Sequence, residues 1–336
     1  MISTITLSNA SGPTPEPKSW QGKSLGTPWG HRFFIFLLRN IGLQAAYALL
    51  WPVAFWYVLF AKGPGEAVRK YQYQLHPIKR KPWRLAAYRQ FRLFGKVLID
   101  KVAVRSGMVD KYSYDRTGGE HIQAMVDSGK GGVLISAHLG NWELAGHLLK
   151  RYKGKVSVVM LDAERHEVKE VMEGAGEEAS YQVIPADGGV GTALAINAAL
   201  TKGRLICLHG DRRLANARAR RMDFLGKPAL FPLGPFAMAS ATGAPVSFCF
   251  VVRTDGPGYK FTATPAFTGC SPNELLDAFV VALEDAVKKS PDQWFNFFDF
   301  WADADDPTAG ARRRTTLPAP APTDGDGART GERNSG

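Results

Sequence analysis

A histidine and a carboxylate with four residues between them, His138 and Glu143, are the residue types and spacing in this chain best suited to chemistry. A neutral imidazole takes a proton from a hydroxyl or amine, and a neighbouring carboxylate fixes its tautomer and stabilises the imidazolium that forms. No serine or cysteine nucleophile accompanies them. Ser136 falls on the same side of an extended strand as His138, but it is not in a G-x-S-x-G turn. The pair therefore points to direct transfer, in which a substrate hydroxyl itself attacks. A hydrogen-bonded structural pair has the same spacing, so spacing alone leaves both readings open.

The stretch Gly131 to Leu149 must position the pair. Val133 to Ala137 is a short apolar run behind two glycines, and a helix-forming stretch follows, the pattern of a buried strand feeding a helix. His138 then stands at the carboxyl end of the strand, Asn141 at the helix N-cap and Glu143 in the first turn. Ligands of open α/β sheets bind outside the carboxyl ends of the strands.

Around it, further strands are predicted at Tyr112–Asp115, Val156–Met160, Val183–Pro185, Arg204–Leu208, Pro245–Val252 and Tyr259–Pro265. Helices are predicted at Glu120–Ser128, His166–Glu178, Thr192–Lys202, Phe236–Thr242 and Glu274–Lys288, the last with Leu275, Leu276, Phe279, Val280 and Leu283 on one side. The alternation predicts an α/β fold with a mixed, mostly parallel sheet. Two strand ends besides that of His138 carry charged residues able to reach a site, Leu161–His166 and His209-Gly210-Asp211-Arg212-Arg213. The turn Gly188–Gly191 suits an anion at a helix N-terminus, but a plain turn explains it equally simply. The aromatic cluster Gln293–Trp301 is explained by core packing or a lipid-facing rim.

Residues 1–18 are polar and lack the basic start and cleavage site of a signal peptide, so they are expected to be a flexible tail. Residues 19–61 form an expected membrane anchor. Within them Ile41–Ala61 runs for about 21 residues without a charge, long enough to span a bilayer. Pro52 is tolerable in such a helix, and Trp51, Trp56 and Tyr57 suit an interface. An apolar helix packed on the domain, or lying in the membrane surface, has the same composition. Residues 62–111 are basic and amphipathic: Lys79-Arg80-Lys81, Arg84, Arg89, Arg92, Lys96 and Lys101 are interleaved with Trp83, Leu85, Tyr88, Phe91, Phe94 and Leu98. Such a flank favours anionic leaflets and the cytoplasmic side. The α/β domain is expected over 112–302 and a disordered tail over 303–336.

The net charge of +11 suits nucleic acid, an anionic membrane or acidic substrates, and no nucleic-acid motif accompanies it. Cys207, Cys249 and Cys270 have neither disulfide nor metal-ligand spacing, and the first two sit in apolar runs as buried thiols.

The wording SAHLGNWELAG, with its H-x4-E, resembles the bacterial lipid A biosynthesis acyltransferases, the late lauroyl/myristoyl-type branch of the glycerolipid acyltransferases. Three later blocks agree in order: Asp211-Arg212-Arg213, the run FLGKPALFPLGPFAMASATGAPV and the ending QWFNFFDFW. The similarity covers roughly Trp20 to Trp301. Asp162-Ala163-Glu164-Arg165 stands where many lipid A enzymes carry a second-block arginine, and Asp211-Arg212-Arg213 is nearer to divergent branches. These departures leave the acceptor open between a lipid A precursor, another glycolipid, an aminolipid and a lipid-linked pigment.

The resemblance implies a glycerolipid-acyltransferase-like fold with an N-terminal membrane-anchoring helix. It implies transfer of a fatty acyl chain from an acyl thioester, acyl-acyl carrier protein or acyl-coenzyme A, to a lipid hydroxyl. His138 is then the general base and Glu143 its orienting carboxylate. Amides at the helix start near Asn141 are candidates for the oxyanion. Arg212 and Arg213, ordered by Asp211, are candidates to hold phosphate or phosphopantetheine, with Arg165, Gly234 and Pro235 as further substrate contacts. Apolar residues from Phe224 to Phe236 line an acyl channel or simply fill the core. No metal or redox cofactor is implied. Partners are acyl carrier protein, a membrane lipid acceptor and an anionic membrane surface, not nucleic acid, at a bacterial inner membrane with the catalytic domain facing the cytoplasm. A hydrolase or a non-catalytic membrane scaffold would share these residues.

Overall fold

The computed structural model describes residues 36, 38, 40–76, 82–142, 144, 155–160, 181–186, 189–213, 217–302 and 304. The expected tail 1–18 and nearly all of 303–336 lie outside these residues. So do Lys79-Arg80-Lys81, Glu143, Leu161–His166, the helix predicted at His166–Glu178, and Gly188.

Among the described residues three helices precede the α/β part: α1 (Leu43–Phe60), α2 (Lys62–Leu75) and α3 (Trp83–Arg105). The α/β part follows as β1 (Ser113–Thr117), α4 (Gly119–Asp127), β2 (Gly132–Ser136), β3 (Val156–Met160), β4 (Gln182–Pro185), α5 (Val190–Thr201) and β5 (Leu205–His209). Then come β6 (Ala219–Phe224), β7 (Lys227–Pro232), α6 (Gly234–Thr242), β8 (Val246–Arg253), β9 (Gly258–Ala263) and α7 (Pro272–Lys289). The main sheet has the order β1-β9-β8-β2-β5-β3-β4. Its pairs are parallel except β8 with β9, so the expected mixed, mostly parallel α/β sheet is what forms.

The central strands are buried because they are apolar on both faces: Val133, Leu134 and Ile135 of β2 and Leu205 and Ile206 of β5 are essentially inaccessible. Helix α7 closes one face with the predicted residues Leu275, Leu276, Phe279, Val280 and Leu283. Its start is fixed by a Ser271–Glu274 capping box with Pro272 in the first turn. Cys249 is buried in β8, and burial pushes its thiol up to about 12, which keeps it protonated.

The β6–β7 hairpin is a feature the sequence reading did not foresee. Phe224 pairs with Lys227 across the two-residue turn Leu225-Gly226, and both turn residues have positive φ, 54° and 78°. Leucine is unusual there. It is held by two side chains, since Glu284 accepts from its N–H at 2.9 Å and Gln74 donates to its carbonyl at 2.6 Å. Phe224, Phe231 and Phe236 are fully buried and belong to the main core.

Helix α1 has two unlike sides. Ala46, Tyr47, Leu50 and Ala54 are buried, whereas Trp51, Phe55, Trp56, Leu59 and Phe60 are each more than half exposed. Leu50 seats over Gly95 of α3, where an added Cβ would stand 2.5 Å from its methyl. By length and composition α1 is able to cross a membrane, yet one side is packed on the protein. The helix runs through Pro52, whose ring is exposed.

Helix α3 differs from its expected face. Leu85 and Leu98 are exposed, while polar Gln90 and Asp100 are completely buried. Asp100 is the centre of a buried polar network. Arg253 Nε donates to its Oδ2 at 2.8 Å, Tyr112 donates to its Oδ1 at 3.0 Å, and the hydroxyls of Tyr47 and Tyr259 donate to it as well. Burial, and next the charge of Asp100, push the Tyr112 and Tyr259 hydroxyls well above the ordinary phenol range, so both remain donors.

Candidate active site

Strand pairing builds the site. β2 and β5 are parallel neighbours with Ser136 opposite His209. His138 and Asp211 each lie two residues beyond that pair, so equal offsets at two adjacent carboxyl ends bring them together. His138 Nδ1 is 2.8 Å from Asp211 Oδ1, and the His138 N–H donates to Asp211 Oδ2 at 2.9 Å. The Trp294 indole donates to the same Oδ2 at 3.3 Å. Asp211 is fully buried, while the His138 side chain keeps 11% of its surface.

Burial on its own would raise the Asp211 carboxyl. The charge and hydrogen bond of His138, with His209 and Arg212 behind, outweigh it and hold the carboxyl well below the usual range. Nδ1 therefore faces an anion, and Nε2 is the nitrogen placed to accept a proton. His209 packs its ring 4.2 Å from that of His138, with the Trp142 ring edge-on at 4.7 Å. Although its ring keeps some access to solvent, burial and the neighbouring His138 push the His209 pKa well below the ordinary value, so it is neutral.

The turn after His138 is locked from three directions. Gly140 has φ +67°, and its N–H donates to the Gln293 carbonyl at 2.8 Å. The Asn141 N–H donates to the Val251 carbonyl at 2.7 Å. Asn141 Oδ1 accepts from the Leu144 N–H at 3.2 Å, the N-cap bond expected of it. Its Nδ2 donates to the Tyr259 hydroxyl at 3.2 Å. The N–H groups of His138, Gly140, Asn141 and Leu144 are thus already bonded within the chain.

The aromatic ending has a defined place that composition did not reveal. Trp294 pairs with Leu139 as an antiparallel bridge, and the Phe295 N–H donates to the His138 carbonyl at 3.0 Å. Trp294 is itself packed among Tyr71, Phe224 and Phe300, with ring centroids 4.9–5.3 Å apart. Replacing Trp294 by Phe removes the indole donor and keeps most of the ring packing. It is expected to lower kcat on the order of tenfold, the scale of one lost charge-assisted hydrogen bond, with a smaller effect on the acyl-donor KM. Steady-state kinetics beside a melting curve checks this, and an unchanged kcat would remove the indole from the site.

The remaining sequence candidates divide. Asp211 is directed at His138 and Trp294, not solely at the arginines it was expected to order. Arg212 Nη2 donates to the Phe295 carbonyl at 3.3 Å and its guanidinium lies 6.0 Å from the Phe298 ring, at the edge of the site. Arg213 is half-buried beside it. Gly234 and Pro235 form the first turn of α6, the glycine exposed, and do not belong to the hydrogen-bonded cluster around His138. Glu143 and Arg165 lie outside the described residues. Among the described residues no group of His, Cys, Asp and Glu has the geometry of a metal site.

A histidine held by a buried carboxylate at the carboxyl ends of two central parallel strands is the arrangement of a general-base site on an α/β sheet. The model of the bacterial lipid A biosynthesis acyltransferase family matches residues 89–302, and the chain belongs to that family. It is 27% identical over 189 residues to the phosphatidylinositol mannoside acyltransferase of Mycobacterium tuberculosis, covering 54% of this chain and 58% of the relative. The protein of the same description from Mycolicibacterium smegmatis is 31% identical over 126 residues, 37% of this chain and 41% of that one. The chain thus spans about half the length of these curated relatives. The crystal structure of the 1-acyl-sn-glycerophosphate (LPA) acyltransferase PlsC from Thermotoga maritima aligns with a TM-score of 0.38 and 14% identity, over 76% of this chain and 98% of that one.

Proposed function

We propose that this protein moves a fatty acyl chain from an acyl thioester to a hydroxyl of a membrane glycolipid, with His138 as general base and Asp211 as the carboxylate that orients it. The observation that carries the reading is the 2.8 Å contact between His138 Nδ1 and a fully buried carboxylate. Nε2 takes the proton of the acceptor hydroxyl as its oxygen attacks the thioester carbonyl. The tetrahedral intermediate collapses, the carbon–sulfur bond breaks, and the imidazolium returns the proton to the departing thiolate. Asp211 stabilises the imidazolium between these steps. Glu143, the carboxylate of the H-x4-E block, keeps a supporting role in this reading.

The donor in this reading is acyl-acyl carrier protein. Arg212 and Arg213 at the rim are of the type that pairs with the phosphate of its phosphopantetheine arm. Arg165, Gly234 and Pro235 remain outer substrate contacts. The acceptor is a glycolipid such as a lipid A precursor. The names of the mycobacterial relatives favour a glycosylated phospholipid equally.

The protein works at the cytoplasmic face of the bacterial inner membrane. There α1 lies in the interface with its aromatic side in lipid. A perpendicular span is disfavoured because α3 packs along α1 and brings Arg92 to 4.6 Å from the Trp51 ring and Lys96 to 5.4 Å from the Tyr47 ring. Charges at that depth are costly in a bilayer core.

Lipid mass spectrometry of cells lacking the chain, rescued by the native form or by His138→Ala, tests the reading. A lipid one acyl chain short, restored by the native form alone, is the expected result and names the acceptor. Equal rescue by both forms would remove His138 from the chemistry. A soluble fatty acid released without any acceptor lipid would instead mark hydrolysis.

A further inference from the structure

We propose that Asp100, on helix α3, is a positioning residue for His138, and that through Tyr47 it ties the placement of the catalytic turn to the seating of helix α1. The inference rests on the general-base reading of His138 only for its consequence on rate.

Two hydrogen-bonded paths run from this one carboxylate to the turn. On the first, Tyr259 donates to Asp100 and accepts from Asn141 Nδ2 at 3.2 Å. Asn141 is the residue that caps the helix after His138. On the second, Arg253 Nε donates to Asp100 at 2.8 Å. The backbone of Arg253 holds the Gln293 side chain at both ends, its N–H donating to Oε1 and its carbonyl accepting from Nε2, each at 2.7 Å. The Gln293 carbonyl in turn accepts from the Gly140 N–H at 2.8 Å. The paths meet on consecutive residues, Gly140 and Asn141, directly after Leu139, whose neighbours are His138 and the Trp294 strap.

The third arm of the network leaves the domain. Tyr47 is the residue of α1 that reaches Asp100, and Arg253 Nη2 lies within 3.4 Å of the same hydroxyl. A carboxylate inaccessible to solvent has few ways to be satisfied, so a change in one donor is felt by the others. Displacing α1 withdraws Tyr47, re-aims Asp100 and loosens both holds on the turn. The aromatic outer side of α1 is the surface that lipid would cover, so membrane seating and the catalytic turn share one buried acid.

Removing Asp100 itself would leave Arg253 as an uncompensated buried charge and invite misfolding. The test therefore uses Tyr47→Phe, Tyr259→Phe and the double variant of the full chain, each of which deletes only a hydroxyl. Two readouts are taken. The first is the His138 ring signal by NMR in detergent micelles. The second is thiol release from palmitoyl-acyl carrier protein with vesicles of lipid extracted from cells lacking the chain. Each single change is expected to shift the His138 signal and lower kcat roughly tenfold with the donor KM within about twofold. The double variant is expected to fall short of the roughly hundredfold product, because both hydroxyls act through the same carboxylate. An unmoved His138 signal in Tyr47→Phe, or multiplicative losses, would overturn the coupling. A native chain that releases no thiol while its His138 signal responds to Tyr47→Phe would defeat the transferase reading and leave the coupling standing.

Discussion

Replacing Asp211 by Asn is expected to lower kcat by about 10³- to 10⁴-fold with little change in donor binding, the size seen when the carboxylate behind a catalytic imidazole becomes an amide. The reason is the tautomer. Both oxygens of Asp211 accept, one from the His138 ring at Nδ1 and the other from the His138 N–H and the Trp294 indole. An amide has a single acceptor oxygen. If that oxygen stays with the backbone N–H and Trp294, the NH₂ faces Nδ1 and the proton of the ring is forced onto Nε2, where it blocks the base. The acid side of the stability profile should change as well. In the native chain the Asp211 carboxyl is held below its ordinary range, so the pair contributes its full stability above the unfolded carboxylate value and loses it as pH falls through the depressed native one. Asn has no such titration, and the variant's melting point should fall less steeply on acidification. Single-turnover transfer and melting curves against pH check both points. An Asn variant within tenfold of native activity would mean that Asp211 does not control His138.

Gly140→Ala is the second change with a large expected effect. A Cβ at this position would stand 2.0 Å from the Val251 carbonyl oxygen and 2.9 Å from backbone carbons of β8. These neighbours are all backbone, so no flexible side chain is there to yield. The left-handed φ adds roughly 1 kcal/mol for any residue with a Cβ. The turn must move by a sizeable fraction of an ångström, and displacement of a base by about 1 Å costs on the order of 10²-fold in rate. The expected result is a folded chain with a lowered melting point and activity reduced about a hundredfold, read by kinetics on the soluble fraction. Native-like activity in the Gly140→Ala variant would show that the turn tolerates another path.

Much of the scaffold was legible because local pattern decides it. The run Val133–Ala137 forms a strand on its apolar content, and α7 buries the five residues its spacing put on one side. His138 was legible by type and place. Its partner was not, because Asp211 is 73 residues away and only the register of β2 against β5 shows that the two share an offset from their strand ends. Asp100 and Gln90 stand unmarked among the basic and apolar residues of 62–111, and nothing local distinguishes a polar residue that is buried with partners from one in water. The β6–β7 turn escaped notice because leucine is a poor turn residue, and its conformation depends on Gln74 and Glu284, distant in the chain. Trp294 looked like one more aromatic; its indole hydrogen bond depends on a carboxylate buried elsewhere.

The Trp294 strap also has a consequence for the order of events during biosynthesis. Its carbonyl accepts from Gln90, 204 residues earlier, and its indole reaches Asp211, 83 residues earlier. Contacts of such separation form late, after the entropy of closing long loops has been met. Sheet strands β2 and β5 are complete well before this segment leaves the ribosome, since folding proceeds from the N-terminal side as the chain emerges. A nascent chain would therefore carry its histidine and aspartate together but unbuttressed until the strap has followed them out. Acquisition of catalytic geometry is then the closing step of folding rather than an early one.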